Sequence, residues 1–182
     1  MFSVTYPTLV VLITAAWCIV RAVCAIRAKS LRPRREAQLI LVYICLVVVA
    51  RFTFFPFSKV DGVIQPLVFD AARALPPRIN LLPLVHLLDY EVKREAILNV
   101  VGNTAMFLPL GIVWPVCFRQ LNTPGKALAA GAGVSLVIEL LQLPFFDRVS
   151  DVDDLILNTL GFALGYGIYC LFHRRKEKKH EN

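Results

Sequence analysis

Five apolar stretches, each long enough to cross a bilayer, divide this chain. They run from about Ser3 to Ile26, Leu39 to Phe57, Ala96 to Phe118, Ala127 to Phe146 and Asp154 to Phe172. A spanning helix needs roughly 20 apolar residues, because each residue rises only about 1.5 Å against a hydrocarbon core about 30 Å thick. The pattern predicts an all-α fold: a polytopic transmembrane bundle of about five helices in one domain, residues 1–182. The first stretch has no Lys or Arg before it and is too long for the apolar core of a secretory signal, so it reads as a helix of the bundle. Between the second and third stretches, Val63–Leu75 and Leu81–Leu88 are apolar but too short to span, with Pro76 and Pro77 between them. They predict an interfacial or re-entrant outer loop.

Polar side chains interrupt these stretches at a few positions: Arg51, Asn99, Asn103, Glu139, Gln142 and Asn158. A charge at the bilayer centre costs about 2.5–3.5 kcal/mol on insertion scales, so such residues face a protein interior or a watery cavity. With alternating helix directions, all six fall in the same half of the membrane. Arg51 and Glu139 come at matching depth, roughly 9 Å below the outer ends of their helices at 1.5 Å per residue. They are expected to pair, directly or through one water. Asn99 and Asn103 share a helix face, as do Ser135, Glu139 and Gln142. Asp151, Asp154 and Asn158 share another if the fifth helix starts early, and Gly161 and Gly165 continue that stripe. Small residues four apart let helices approach closely. Each group also has a plain reading: the three aspartates as helix caps, the asparagines as interhelical glue, Arg51 with Glu139 as a structural pair.

Composition agrees with a membrane protein. The chain is 57% hydrophobic, with mean hydropathy +0.63, too apolar for an ordinary soluble domain. The net charge of +7 does not suggest nucleic acid, because the basic residues cluster directly after apolar stretches: Arg27, Lys29, Arg32, Arg34 and Arg35, then Arg174, Arg175, Lys176, Lys178 and Lys179. Such clusters mark loops retained in the cytoplasm. They predict an outward N-terminus, a cytoplasmic C-terminus and a basic cytoplasmic tail over residues 173–182. Arg21, near the inner end of the first helix, can snorkel to the surface. The five cysteines lie in apolar stretches without a CxxC pair, so neither disulfides nor zinc are expected.

The polar residues sit in an ordered series of blocks. Arg51-Phe-Thr-Phe-Phe-Pro56 is followed by Arg78-Ile-Asn80-Leu-Leu-Pro83 and by Asn99-Val-Val-Gly-Asn103-Thr-Ala-Met-Phe107-Leu-Pro109-Leu-Gly111. Glu139-Leu-Leu-Gln142, Arg148 and Asp151-Val-Asp153-Asp154-Leu-Ile-Leu-Asn158-Thr-Leu-Gly161 complete it. In order and spacing, from about Arg51 to Gly167, this resembles the VanZ-like family of small bacterial membrane proteins. The resemblance implies a polytopic protein of the bacterial cell membrane, in a family whose named member is linked to resistance against teicoplanin-type lipoglycopeptides. It supplies no settled biochemical activity.

Two functions compete. In the first, an outer-leaflet pocket built from Arg51, Arg78, Asn80, Asn99, Asn103, Glu139, Gln142, Arg148, Asp151, Asp154 and Asn158 binds a membrane lipid or lipid-linked envelope precursor. Its arginines would meet phosphate through charge-assisted hydrogen bonds. In the second, the same cluster is an intramembrane enzyme acting on a lipid head group. Glu139 would be the general base, and Asp151, Asp153 and Asp154 would hold a hard cation such as Mg²⁺. The chain has no HExxH, P-loop or GxSxG motif, and His86 is the only histidine outside the tail. A transporter finds little support, since no internal repeat accompanies the five helices.

Overall fold

The computed structural model describes residues 2–29, 32–55, 62–70, 78–83, 93–146 and 148–180. Its five long helices are α1 (Tyr6–Ala28), α2 (Pro33–Phe54), α3 (Lys93–Cys117), α4 (Pro124–Gln142) and α5 (Val152–His180). All five are long and apolar enough to cross a membrane. Local sequence sets their ends. Proline stands in the first turn of α1, α2 and α4, where its missing N–H has no helical partner to lose. The Thr5 hydroxyl accepts from the Thr8 amide and caps α1. Helix α2 stops at Phe54 because Phe55, preceding Pro56, is extended (φ −123°, ψ 138°). The expected end at Phe57 was therefore too late. Helix α3 continues through Pro109 and Pro115.

The bundle is organised around α3 and α5. Its best-buried apolar side chains include Val49, Phe55, Phe107, Leu110 and Phe162. The close approach expected of Gly161 and Gly165 is present. A Cβ on Gly161 would lie 2.0 Å from the Thr104 carbonyl oxygen, and one on Gly165 would lie 2.1 Å from that of Leu108. Positions 104 and 108 of α3 thus meet 161 and 165 of α5 in ascending order, so the two helices run parallel.

Helix α1 is peripheral. None of its residues is buried, and Ile26 is 74% exposed. Polar contacts with α2 tie it down: the Thr14 and Tyr43 hydroxyls lie 2.7 Å apart, and the Trp17 and Tyr43 rings pack at 5.7 Å. Arg21 forms an ion pair with Glu36. That pair gives Arg21 a partner on the neighbouring helix, where the sequence suggested only snorkelling.

Short extended strands accompany the helices, two of them in the α2–α3 loop expected to be interfacial or re-entrant. Strand β1 (Phe2–Val4) pairs antiparallel with β2 (Leu67–Phe69), with Ser3 opposite Val68. Phe69 also bridges to Phe145, supported by bonds from Asp70 N to Pro144 O and from Phe146 N to Val68 O. Strand β3 (Ile79–Asn80) runs parallel to β4 (Ser150–Asp151). Residues 71–75 and 84–88 of the expected apolar segments lie outside the described residues. An aromatic layer of Phe2, Tyr6, Phe54, Phe55, Phe69 and Phe145 covers this end of the bundle.

The α3–α5 contact yields a paired prediction. Gly161→Ala drives a Cβ into backbone atoms that have no rotamer to yield. It should destabilise the protein by roughly 3 kcal/mol, the upper part of the overpacking range. Gly167→Ala, whose Cβ meets nothing within 4 Å, should be neutral or slightly stabilising. Thermal unfolding of both variants in one detergent measures the difference.

Candidate functional site

Helix α2 ends inside apolar surroundings, and its last carbonyls have no helical N–H left to accept from. Side chains from elsewhere in the chain fill that gap. Gln142 Nε2, from the last turn of α4, donates to Thr53 O at 2.8 Å. Arg148 Nη2, from the α4–α5 connection, donates to Phe54 O at 2.8 Å. Arg51 Nη1 donates to Phe55 O at 3.2 Å. Three successive carbonyls thus receive three of the predicted polar residues. The two arginines also place positive charge at the negative end of the helix dipole. The Arg51 guanidinium lies over the rings of Tyr6 and Phe52, 5.7 and 5.6 Å from their centroids.

The direct Arg51–Glu139 pair expected from matching depth is not formed. Glu139, 4% exposed, accepts from the Asp151 amide at 2.9 Å. Asp151 precedes the first residue of α5, so Glu139 faces the positive end of that helix. A helix terminus does for the carboxylate what the arginine was expected to do. The Asp151 side chain accepts in turn from the Asp153 amide at 2.9 Å, as an N-cap residue does. Both Asp151 oxygens accept from Asn80 Nδ2, at 3.2 and 3.1 Å. Asn80 Oδ1 then accepts from Leu82 N at 3.2 Å. Strand β3 therefore docks on the start of α5 through backbone pairing and through this side chain.

On the α3 side, Asn103 Nδ2 donates to Asp154 Oδ1 and to Asn99 Oδ1, the latter at 3.2 Å. Deeper in the bundle, Asn158 Nδ2 lies 3.0 Å from Ser135 Oγ. Asn158 is 1% exposed and Ser135 0%. Arg78 is exposed at the rim and donates to Phe146 O at 3.4 Å. The structure thus gathers Asn80, Asn99, Asn103, Glu139, Asp151, Asp153, Asp154 and Asn158 around the first two turns of α5. Arg51, Gln142 and Arg148 gather around the end of α2. Among the described residues, Gln142 Oε1 and Asn158 Oδ1 are buried acceptors without a hydrogen-bond donor.

The family described as VanZ/LLP1 matches residues 40–173. The chain belongs to the VanZ-like family. It is similar to Protein VanZ of Enterococcus faecium, 31% identical over 81 residues that cover 44% of this chain and 50% of that protein. It is also similar to the uncharacterized membrane protein YwnJ of Bacillus subtilis (strain 168), 31% identical over 88 residues covering 48% of this chain and 59% of that one. The matched segment thus spans half to three-fifths of the length of these curated relatives. No solved structure matches. Five apolar helices and these relatives make the chain a multi-pass membrane protein.

Every residue of the VanZ-like cluster lies inside the matched region. Among the described residues, no group of three or more His, Cys, Asp or Glu side chains is gathered to hold a metal ion. Asp151, Asp153 and Asp154, expected as Mg²⁺ ligands, do not converge in that way. Asp151 is turned to the Asp153 amide and to Asn80, and Asp154 is turned to Asn103. Sequence reading missed Thr53, whose hydroxyl bonds back to Val49 O at 2.9 Å and whose carbonyl receives Gln142. Its only signal was a polar residue beside Arg51 in an aromatic run.

Removing the Gln142 amide tests the capping role. Gln142→Leu leaves Thr53 O buried without its donor and should cost about 1–3 kcal/mol. A thermal midpoint in detergent equal to that of the wild type would show that the contact contributes nothing.

Proposed function

We propose that the polar cluster faces the outer surface of the bacterial cell membrane and binds the polar head of a lipid or lipid-linked envelope precursor. By occupying or presenting that lipid, the protein would contribute to resistance against teicoplanin-type lipoglycopeptides. The observation that carries this reading is the meeting of two unlike surfaces at Phe54. Its carbonyl is held by Arg148 within the polar region, and its side chain lines an apolar groove of about 610 Å³. The groove runs between α1, α2 and α4 and is walled by residues such as Leu9, Ile13, Leu46, Val134, Val137 and Leu141. An amphiphile fits such a junction: hydrocarbon in the groove, polar head toward the cluster.

Two details favour a ligand with donors as well as a phosphate. Among the described residues, Gln142 Oε1 and Asn158 Oδ1 each lack a donor, and a buried acceptor left unpaired costs about 1–3 kcal/mol. Hydroxyl or amide groups of a head group, or ordered water, would satisfy them. Arg78, exposed and held by one bond, offers a guanidinium at the rim for charge-assisted bonds to phosphate oxygens.

The test uses the full chain in detergent, probed with undecaprenyl phosphate and with phospholipids by native mass spectrometry and product analysis. Saturable retention without product, weakened roughly tenfold in Arg78→Ala, is expected. Turnover that Glu139→Gln abolishes would instead establish the enzyme. Wild-type retention by both variants would overturn a binding role for the cluster.

A further inference from the structure

A second charged cleft lies at the opposite end of the bundle, where the start of α2 meets the end of α3. Arg35 Nη1 donates to Cys117 O, Cys117 Sγ lies 3.1 Å from Gln38 O, and the Arg35 guanidinium sits 5.5 Å from the Phe118 ring centroid. These contacts fix one wall. The cleft encloses about 690 Å³ between Arg32, Arg35 and Gln38 on one side and the segment 116–121 on the other. A neighbouring cleft of about 610 Å³ shares Arg32, Arg35 and Gln38 and adds Arg34.

Arg32, Arg34, Arg35 and Arg119 thus line one continuous region, and no acidic residue lines it with them. The nearest acid in sequence, Glu36, is engaged by Arg21. Arg35 has its carbonyl and its ring. Arg32, Arg34 and Arg119 are exposed and make no side-chain hydrogen bond or ion pair among the described residues. Gathered guanidinium groups repel one another, and their planar forks match the oxygens of a phosphate.

We infer that this cleft is a binding site for a phosphoryl group, supplied by the head of an anionic phospholipid in the adjoining leaflet. Val116, Phe118 and Leu121 in the same lining put apolar surface beside the arginines. That is the combination met at the boundary between head groups and acyl chains. Basic pockets between spanning helices bind anionic head groups in this way. The site is separate from the Glu139 cluster and does not depend on the function proposed for it.

The full chain in detergent is titrated with phosphatidylglycerol, phosphatidylcholine or inorganic phosphate, and retained ligand is counted by native mass spectrometry. Saturable retention of phosphatidylglycerol over phosphatidylcholine is expected. The double variant Arg32→Gln/Arg119→Gln should weaken it by roughly tenfold or more. Arg174→Gln/Arg175→Gln, which removes the same charge from the basic tail, should change it less than about twofold on the same scale. Arg32→Lys/Arg119→Lys keeps the charge without the fork and should fall between them. An equal loss in the tail variant, or no preference for the anionic lipid, would overturn the site. Displacement by inorganic phosphate at equal concentration would overturn the lipid as its source. Circular dichroism checks that each variant retains its helices.

Discussion

Where α2 stops, three consecutive peptide carbonyls are left in surroundings with little water to satisfy them. In a membrane each unpaired backbone group costs several kcal/mol, so the chain must supply donors. It does so at Thr53, Phe54 and Phe55 with Gln142, Arg148 and Arg51. These donors come from α4, from the α4–α5 connection and from α2 itself. Satisfying one helix end therefore fixes the heights of α4 and of the segment leading into α5 relative to α2.

The position of α5 follows from that constraint. With the last turn of α4 held by Gln142, Glu139 lies one turn below it and meets the Asp151 amide just before α5 begins. Asp151 then caps the helix and receives Asn80 from the loop, which seats β3 beside β4. From this start α5 runs parallel to α3, and Gly161 and Gly165 meet the α3 backbone about three and four turns further on. The polar contacts and the glycine contacts agree on one register, the consistency between levels that specifies a single fold.

The five helices were legible because length and apolar content suffice to identify a span, and the glycine stripe because its spacing matches the helix. The inward-facing polar residues were legible from the cost of exposing them to lipid. Their partners were not. The expected Arg51–Glu139 pair considered side-chain charge alone, yet backbone groups at helix ends carry partial charges that compete for the same side chains. Arg51 went to a carbonyl and two aromatic faces, Glu139 to an amide. The strands were hidden for another reason. Segments of two or three residues, such as Leu67–Phe69 and Ile79–Asn80, are too short to show an alternating pattern, and their pairing partners are remote in sequence. The aspartates were ambiguous from the start, since a carboxylate before a helix suits a cap as well as a metal. Geometry gives Asp151 the cap.

Helix α1 stands apart in every respect. It precedes the family match, which starts at residue 40, and it buries no residue of its own. Its hold on α2 includes one hydroxyl contact, one ring contact, the Arg51 guanidinium over the Tyr6 ring and the Arg21–Glu36 pair. Yet Leu9 and Ile13 form one side of the apolar groove whose other sides come from α2 and α4. The polar cluster therefore belongs wholly to the family-matched region, whereas the adjoining hydrocarbon surface is completed by an element outside it. Under the proposed function, head-group recognition and selection of the chain beside it would be carried by separable parts of the molecule. The second can change through α1 without disturbing the hydrogen bonds that hold the first.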